Sequence, residues 1–579
     1  MTVWTDTLKQ RIEAARGKRP VDLLFKNCQI VDVFAGVLQE TEVAVFDGQI
    51  VGFGERPARE EVDLAGAILC PGLIDGHLHL ESSMLHPAEF ARAVLPHGTT
   101  SVVADPHEIA NVAGLPGVQF MLEATEDIGL DVFFMAPSCV PASHLESSGA
   151  RLDGNDLQSL QQFSRIIGLG EVMNFPGVIE GDAEIMDKIQ RFCGKVVDGH
   201  APGLSGAGLD AYLSAGIGSD HECTRLAEAK EKLSKGMFIM IREGSQARDL
   251  ENLAPLVTVR NERRCMLVSD DCHPEELATR GHMDSMVSRA MNLGIEPMMA
   301  IRMATRNPAE YFGLRRLGAI APGCQADMLV LTTLQPFHID RVYKAGKLVA
   351  AAGGCLLEMV VKTAGLPVTM KLSAVRLEDL RIECRGQWLR VIRLIPGSLI
   401  TGEDIVRVVE RNGEAVSDPQ NDLLKVAVFE RHHGSGRRGL GFVHGFGLRS
   451  GALASTVAHD SHNLVVVGAD DADMVTAVNS LRELGGGLAV ADRGKVIATL
   501  PLPLAGLMST ASLQEVVAGN SKVNEAAAAL GATVEHPFMA LSFLALPVIP
   551  RLKITDYGLV DGEQLAQVPL FVDDAPVRE

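Results

Sequence analysis

What this chain lacks removes many functions at once. Its 579 residues contain no C-x-x-C pair, and all ten cysteines fall at or before Cys384. Such scattered spacing excludes a disulfide framework and fits a reduced, cytoplasmic protein. No apolar run reaches the eighteen residues that mark a transmembrane helix. Met1 to Arg19 is charged and amphipathic, with no apolar core and no small-residue cleavage site. It reads as an N-terminal helix and not as a signal peptide. Aromatic residues make up only 4%, no basic cluster interleaves with them, and the net charge is −20. These features exclude a nucleic-acid polymer or an anionic membrane as the main partner and leave a neutral small molecule open.

What is present is a large apolar supply, 47% of the residues, over a length suited to about three or four domains. Residues 21 to 70 read as β-rich. Val21–Phe25, Gln29–Val33 and Glu42–Phe46 are short apolar or alternating runs, punctuated by Gly36, Asp47-Gly48 and Gly54. From residue 72 short apolar runs end in polar residues and alternate with helical text. Eight are read as strands: Gly72–His77, Thr99–Ala104, Asp131–Ala136, Ile166–Glu171, Lys195–His200, Ala215–Asp220, Met237–Arg242 and Cys265–Asp270. Room for a helix after each predicts parallel strands and a (β/α)8 TIM-like barrel, with an open doubly wound sheet as the alternative. Arg306-Asn307-Pro308-Ala309 reads as the end of a helix.

Residues 318 to 360 return to strand-like text, in Ala326–Leu331 and Val342–Val349, and are expected to pair with the N-terminal strands. The predicted division is 1–70 (helix and first β segment), 71–317 (barrel), 318–368 (second β segment) and 369–579 (an α/β or α+β unit).

The most informative motif is Pro71-Gly72-Leu73-Ile74-Asp75-Gly76-His77-Leu78-His79. Residues i and i+2 of a strand share a side, so both imidazoles can face one metal ion. Barrel enzymes keep their catalysts at strand C-termini. The other strand ends supply Glu171, His200, His221 just after Ser219-Asp220, and Asp270. Four histidines and two carboxylates can hold two divalent ions with one bridging carboxylate and leave room for water. Singly, Glu171 or the Asp270-Asp271 pair reads equally well as a helix cap, and His200 as a loop residue. Their joint phase with the strand ends favours the metal reading.

Rival motifs are absent. A nucleobase deaminase of the H-x-E type needs P-C-x-x-C, which the chain lacks despite His273-Pro274-Glu275. His107-Glu108 and His221-Glu222 lack the second histidine of H-E-x-x-H. Arg437-Arg438 lacks the Walker spacing.

The order H-x-H, carboxylate, His, His, Asp resembles the amidohydrolase superfamily of metal-dependent barrel hydrolases. Within it, three stretches resemble the adenine deaminase family: Gly76–Met84, Gly98–Val112 and Gly170–Asn174. So does Ala458-His459-Asp460-Ser461-His462-Asn463. The resemblance implies a small β-sandwich built from the two flanking β segments. It also implies hydrolytic deamination of adenine to hypoxanthine and ammonia, with two divalent ions per subunit, manganese or iron(II) before zinc. His77, His79 and Asp270 would bind one ion, His200 and His221 the other, and Glu171 would bridge them. Where many relatives carry a carbamylated lysine on strand 4, this chain has Glu171, which disfavours hydantoinase or dihydroorotase chemistry.

Asp270 is the candidate for moving the water proton to the leaving amine, and Glu171 for serving ring nitrogen N1. Glu81, Ser82, Asp105, His107 and His273 are candidates for substrate binding, each with a structural reading of equal standing. Glu108 shares the face of Asp105 and His107. His459–His462 reads either as a lid or as an internal network. A homodimer or larger homo-oligomer is expected by the same likeness. Another cyclic amide or amidine hydrolase, or a non-catalytic metal-binding relative, remains as the alternative.

Overall fold

The computed structural model describes residues 3–573. After a helix over Val3–Ala15 come strands β1 (Val21–Asp32), β2 (Val37–Phe46), β3 (Gln49–Phe53), β4 (Ala58–Asp63) and β5 (Ile68–Pro71). The first two apolar runs are thus one strand, not two. Its register shifts between Phe25 and Cys28, a bulge that bends it. The first half of β1 pairs in parallel with β4 and the second half with β5. Asp47 and Gly48 turn β2 into β3 with φ of 50° and 69°, the left-handed pair that a tight hairpin needs.

Barrel strands follow as β6 (Leu73–Leu78), β7 (Thr99–Ala104), β8 (Asp131–Ala136), β9 (Ile166–Val172), β10 (Val196–Gly199), β11 (Ser219–Asp220), β12 (Phe238–Arg242) and β13 (Cys265–Val268). They pair in parallel as β6 to β10 and as β11 to β13. Backbone bonds join the two sheets at both seams. Gly218 N–H donates to Val197 O at 2.9 Å, Asp270 N–H to His77 O at 3.0 Å and His79 N–H to Asp270 O at 3.3 Å. Every residue of β6 and β7 is buried, as expected of parallel strands covered on both faces. Arg306 begins a helix, Arg306–Tyr311, where a helix end was expected.

Beyond the barrel lie β14 (Met328–Thr333), β15 (His338–Lys344), β16 (Lys347–Ala351) and β17 (Gly354–Cys355). The run Val342–Val349 is split by a turn at Ala345-Gly346, both at positive φ. β14 pairs antiparallel with β5, Met328 opposite Pro71. The flanking segments therefore meet in one nine-stranded order, β17-β16-β15-β14-β5-β1-β2-β3, with β4 on the fork of β1. Lys344 Nζ clamps this sheet to the barrel, 2.6 Å from Asp327 Oδ2 and 2.6 Å from Asp131 Oδ2 of β8.

The C-terminal unit is built on a second nine-stranded sheet with central strands Leu424–Phe429, Leu464–Gly468 and Ala452–Ser455. Helix Asp471–Leu484 buries Met474, Ala477, Val478 and Leu481 against it. The unit docks on the barrel's strand-end face. Thr555 Oγ1 donates to Leu145 O at 2.7 Å, Asn463 Nδ2 to Ser147 O at 2.7 Å, and Ser509 N–H to Met84 O at 2.8 Å.

Candidate metal centre

The expected strand-end residues converge. Glu171 lies at their middle. Its Oε1 is 3.3 Å from His79 Nε2, and its Oε2 is 2.9 Å from His200 Nδ1 and 3.2 Å from His221 Nε2. Asp270 Oδ1 is 3.2 Å from His79 Nε2 and 3.6 Å from His77 Nε2. The rings of His77 and His221 stack at 4.2 Å. Asp270 adopts φ 60°, a left-handed conformation at the bend after β13. Strain of this kind is held in place only by firm surroundings. Here they are the two seam bonds to His77 and His79.

The donor atoms fit cations. His79 Nδ1 is 3.0 Å from the Asp105 carbonyl, which takes the ring proton and leaves the Nε2 lone pair facing two carboxylates. His77 Nε2 and Glu171 Oε1 are buried without an aligned hydrogen-bond partner. Lone pairs that crowd together without a proton between them are what metal ligands present. The sets of donor atoms within 4.8 Å of one another include His77/His79/Glu171, Glu171/His200/His221 and His77/His221/Asp270. Glu171 belongs to two of them, as a bridging carboxylate must. The third set spans the expected division, since His221 lies within 4.8 Å of the His77 and Asp270 donors as well as 3.2 Å from His200 Nδ1.

Electrostatics follow from the crowding. Burial alone would raise the Glu171 carboxyl, but His107, His200 and His221 hold it well below the usual range. Burial likewise opposes ionisation of Asp270, and His77, His79 and Arg242 overcome it and keep its pKa low. Burial would lower His200, yet Glu222 and Glu171 lift it to about 9 in the metal-free protein.

The five candidate substrate residues separate. His107 Nδ1 is 3.2 Å from Glu171 Oε1, so His107 joins the cluster itself. Asp105 is turned inward, its Oδ2 accepting the Glu171 N–H at 3.1 Å. Gly170 permits this, because a Cβ there would sit 1.9 Å from Asp105 Oδ2. Glu81 Oε1 accepts the Ile109 N–H at 3.1 Å while Oε2 has no aligned partner. Ser82 Oγ bonds Asp271 Oδ1. His273 occupies the N-cap position of helix Pro274–Thr279 without a side-chain cap bond, and its backbone N–H donates to Ser245 Oγ at 2.8 Å.

Three further residues complete the site. Arg242, the last residue of β12, contacts Glu222 Oε1 and lies 3.1 Å from Asp270 Oδ2. Its strand-end position was the available signal. Glu222 Oε1 is 3.4 Å from His221 Nε2. His459, from the C-terminal unit, reaches Glu108 Oε1 at 3.2 Å, a contact between distant parts of the chain that local pattern does not carry.

Residues 68–349 match the amidohydrolase family and residues 398–566 the adenine deaminase C-terminal domain. The first match, over this barrel and strand-end cluster, defines a metal-dependent hydrolase class, and membership implies divalent metal ions. A curated adenine deaminase from Desulfatibacillum aliphaticivorans is 52% identical over 565 residues, covering 97% of this chain and 99% of that protein. One from Syntrophobacter fumaroxidans is 47% identical over 569 residues, covering 98% and 99%. Among solved structures, an enamidase of the amidohydrolase superfamily aligns with TM-score 0.44 and 19% identity, over 57% of this chain and 96% of that one. The chain belongs to the adenine deaminase family.

Proposed function

We propose that this protein hydrolyses adenine to hypoxanthine and ammonia. The carrying observation is Glu171 set among His79, His107, His200 and His221, with Asp270 beside it, in a chain 52% identical to a named adenine deaminase. His77, His79 and Asp270 would hold one divalent ion and His200 and His221 the other, with Glu171 shared. Manganese or iron(II) is the proposed metal, and zinc suits the same donors. When bound, such ions lower the pKa of a water so that hydroxide is present near neutral pH.

The reaction forms a C6–O bond and breaks the C6–N bond of the amino group. Water gives up a proton, ring nitrogen N1 gains one, and the amine must leave protonated. Asp270 stays ionised because of His77, His79 and Arg242, which suits a group that takes a proton and hands it on. Glu171 is the poorer proton donor of the two candidates, since imidazoles surround both its oxygens and hold it ionised. Its main task is to hold the cluster, and its service to N1 is secondary. The four-part division at 70, 317 and 368 accompanies this reading, as do a homo-oligomer and a reducing, cytoplasmic setting. No helix among the described residues is long and apolar enough to cross a membrane.

The test is to deplete the protein of metal, reload it with Mn²⁺ or Fe²⁺ under reducing conditions, and measure ammonia from adenine and adenosine and ring opening of dihydroorotate. Metal-dependent release from adenine alone is expected. Ring opening of dihydroorotate to carbamoyl aspartate, which frees no ammonia, without release from adenine would favour the alternative cyclic amide hydrolase.

A further inference from the structure

A second buried polar group lies beside the metal cluster, where the C-terminal unit meets the barrel. Glu108 follows His107 at the start of helix His107–Ala124. His459 and His462 come from the loop between Ala452–Ser455 and Leu464–Gly468. Ligand atoms of all three lie within 4.8 Å of one another, and all three residues are buried. Phe543 stacks on His459 at 5.1 Å. The loop is pinned from behind. Arg431 Nε donates to His462 O, His459 N–H to Ser542 Oγ at 3.2 Å, and His432 Nε2 lies 2.8 Å from Ser461 O.

The spacing suits a cation, but the proton positions do not. Ala458 N–H donates to His462 Nδ1 at 3.1 Å, so that nitrogen holds a lone pair and the ring proton sits on Nε2. Burial keeps this imidazole neutral, its pKa far below the ordinary value. A cation would therefore meet an N–H. His462 Nε2 is buried without an aligned partner, and Glu108 Oε1 has only His459 Nδ1, 3.2 Å away but poorly aligned. A buried donor beside a buried acceptor is poorly stable when left unmatched. Its complement is a ligand edge that carries an acceptor next to an N–H.

Adenine has such an edge. N3 lies across the six-membered ring from C6, and N9–H is its neighbour. Resting on the deaminase reading above, we propose that Glu108 and His462 read this edge. Glu108 accepts the N9–H and His462 Nε2–H donates to N3, which leaves C6 turned away from them. His459 is a positioning residue that orients the Glu108 carboxylate. The C-terminal unit thereby forms one end of the substrate pocket, and a substituent on N9, such as a ribose, meets a buried carboxylate where a hydrogen bond should be.

The experiment compares adenine with 9-methyladenine in metal-loaded wild type, Glu108→Gln, His459→Gln and His459→Leu, with metal content measured for each. In wild type, kcat/KM for 9-methyladenine should fall at least about 100-fold below that for adenine. Glu108→Gln should lose roughly 10- to 100-fold on adenine, mostly through KM, and its preference for adenine over the methylated base should shrink. His459→Gln keeps a donor for Glu108 and should retain more of the adenine preference than His459→Leu, which follows Glu108→Gln. Turnover of 9-methyladenine by wild type within about tenfold of adenine would overturn the proposal, as would an unchanged substrate ratio in Glu108→Gln. If metal-loaded wild type releases no ammonia from adenine, the deaminase reading fails instead. Calorimetric binding of the two bases then tests the edge reading alone: tighter adenine supports it and equal affinity overturns it.

Discussion

Arg242 Nη1 lies 3.1 Å from Asp270 Oδ2, and the same nitrogen contacts Glu222 Oε1. One cation thus holds the proposed proton carrier on the side away from His77 and His79. Removing it takes away a positive charge that lowers the Asp270 pKa. Arg242→Met should therefore move the acid limb of the kcat/KM profile to higher pH and reduce kcat/KM by roughly 10- to 100-fold. Arg242→Lys should be intermediate, because a point charge replaces a planar fork. Asp270→Asn should lose at least about 100-fold in kcat. Near-normal turnover by Asp270→Asn with metal still bound would remove Asp270 from the mechanism.

Stability of the metal-free protein should fall as the solution becomes alkaline. His200 is raised to about 9 by Glu222 and Glu171 against the lowering effect of burial, while an unfolded histidine titrates near about 6.5. A folded-state pKa above the unfolded one contributes stability that is complete below about 6.5 and is lost as pH rises through about 9. The loss is of order 3 kcal/mol for this group alone. Metal-loaded protein should not show it, since a ligating imidazole is already unprotonated. Calorimetric scans from pH 6 to 9.5, with and without chelator, read the difference (a pH range chosen to bracket roughly these two values).

Gly170→Ala should weaken both the fold and the metal site. The added Cβ would stand 1.9 Å from Asp105 Oδ2, and Asp105 would have to release the Glu171 N–H. Overpacking of this kind costs about 1–3 kcal/mol. Denaturant midpoints give the stability, and metal analysis gives the occupancy. Full occupancy with unchanged stability would show that Asp105 is not needed in its present place.

Lys344→Met tests the clamp between the flanking sheet and the barrel. The side chain is 8% exposed and serves Asp327 and Asp131 together. Its loss leaves two carboxylates without their cation, and breaking such a pair typically costs about 3–5 kcal/mol. Tm should drop while metal content of the folded fraction and kcat stay near wild type. A drop in kcat at unchanged Tm would mean that the clamp acts on the site instead.

The eight barrel strands were legible because a parallel strand covered on both faces must be apolar throughout and must end where polar side chains begin. Thr99–Ala104 and Asp131–Ala136 match in full. Gly72–His77 is displaced by one residue, to Leu73–Leu78. Ala215–Asp220 shrinks to Ser219–Asp220, where only two residues find partners on the next strand. Phe25 to Gln29 was read as a break between strands because a bulge and a polar interruption look alike in one dimension.

By itself, then, the chain's text determined the barrel strands and the residues at their ends, since both follow from local polarity and period. Tertiary structure alone decided which groups those residues face. Arg242 on Asp270, Asp105 behind His79 and Glu171, and His459 on Glu108 are contacts between separate elements. Such contacts are set by barrel closure and by the docking of the C-terminal unit. Neither leaves a periodic trace, because each depends on the angle and register at which buried surfaces meet, not on the order of residues along either one.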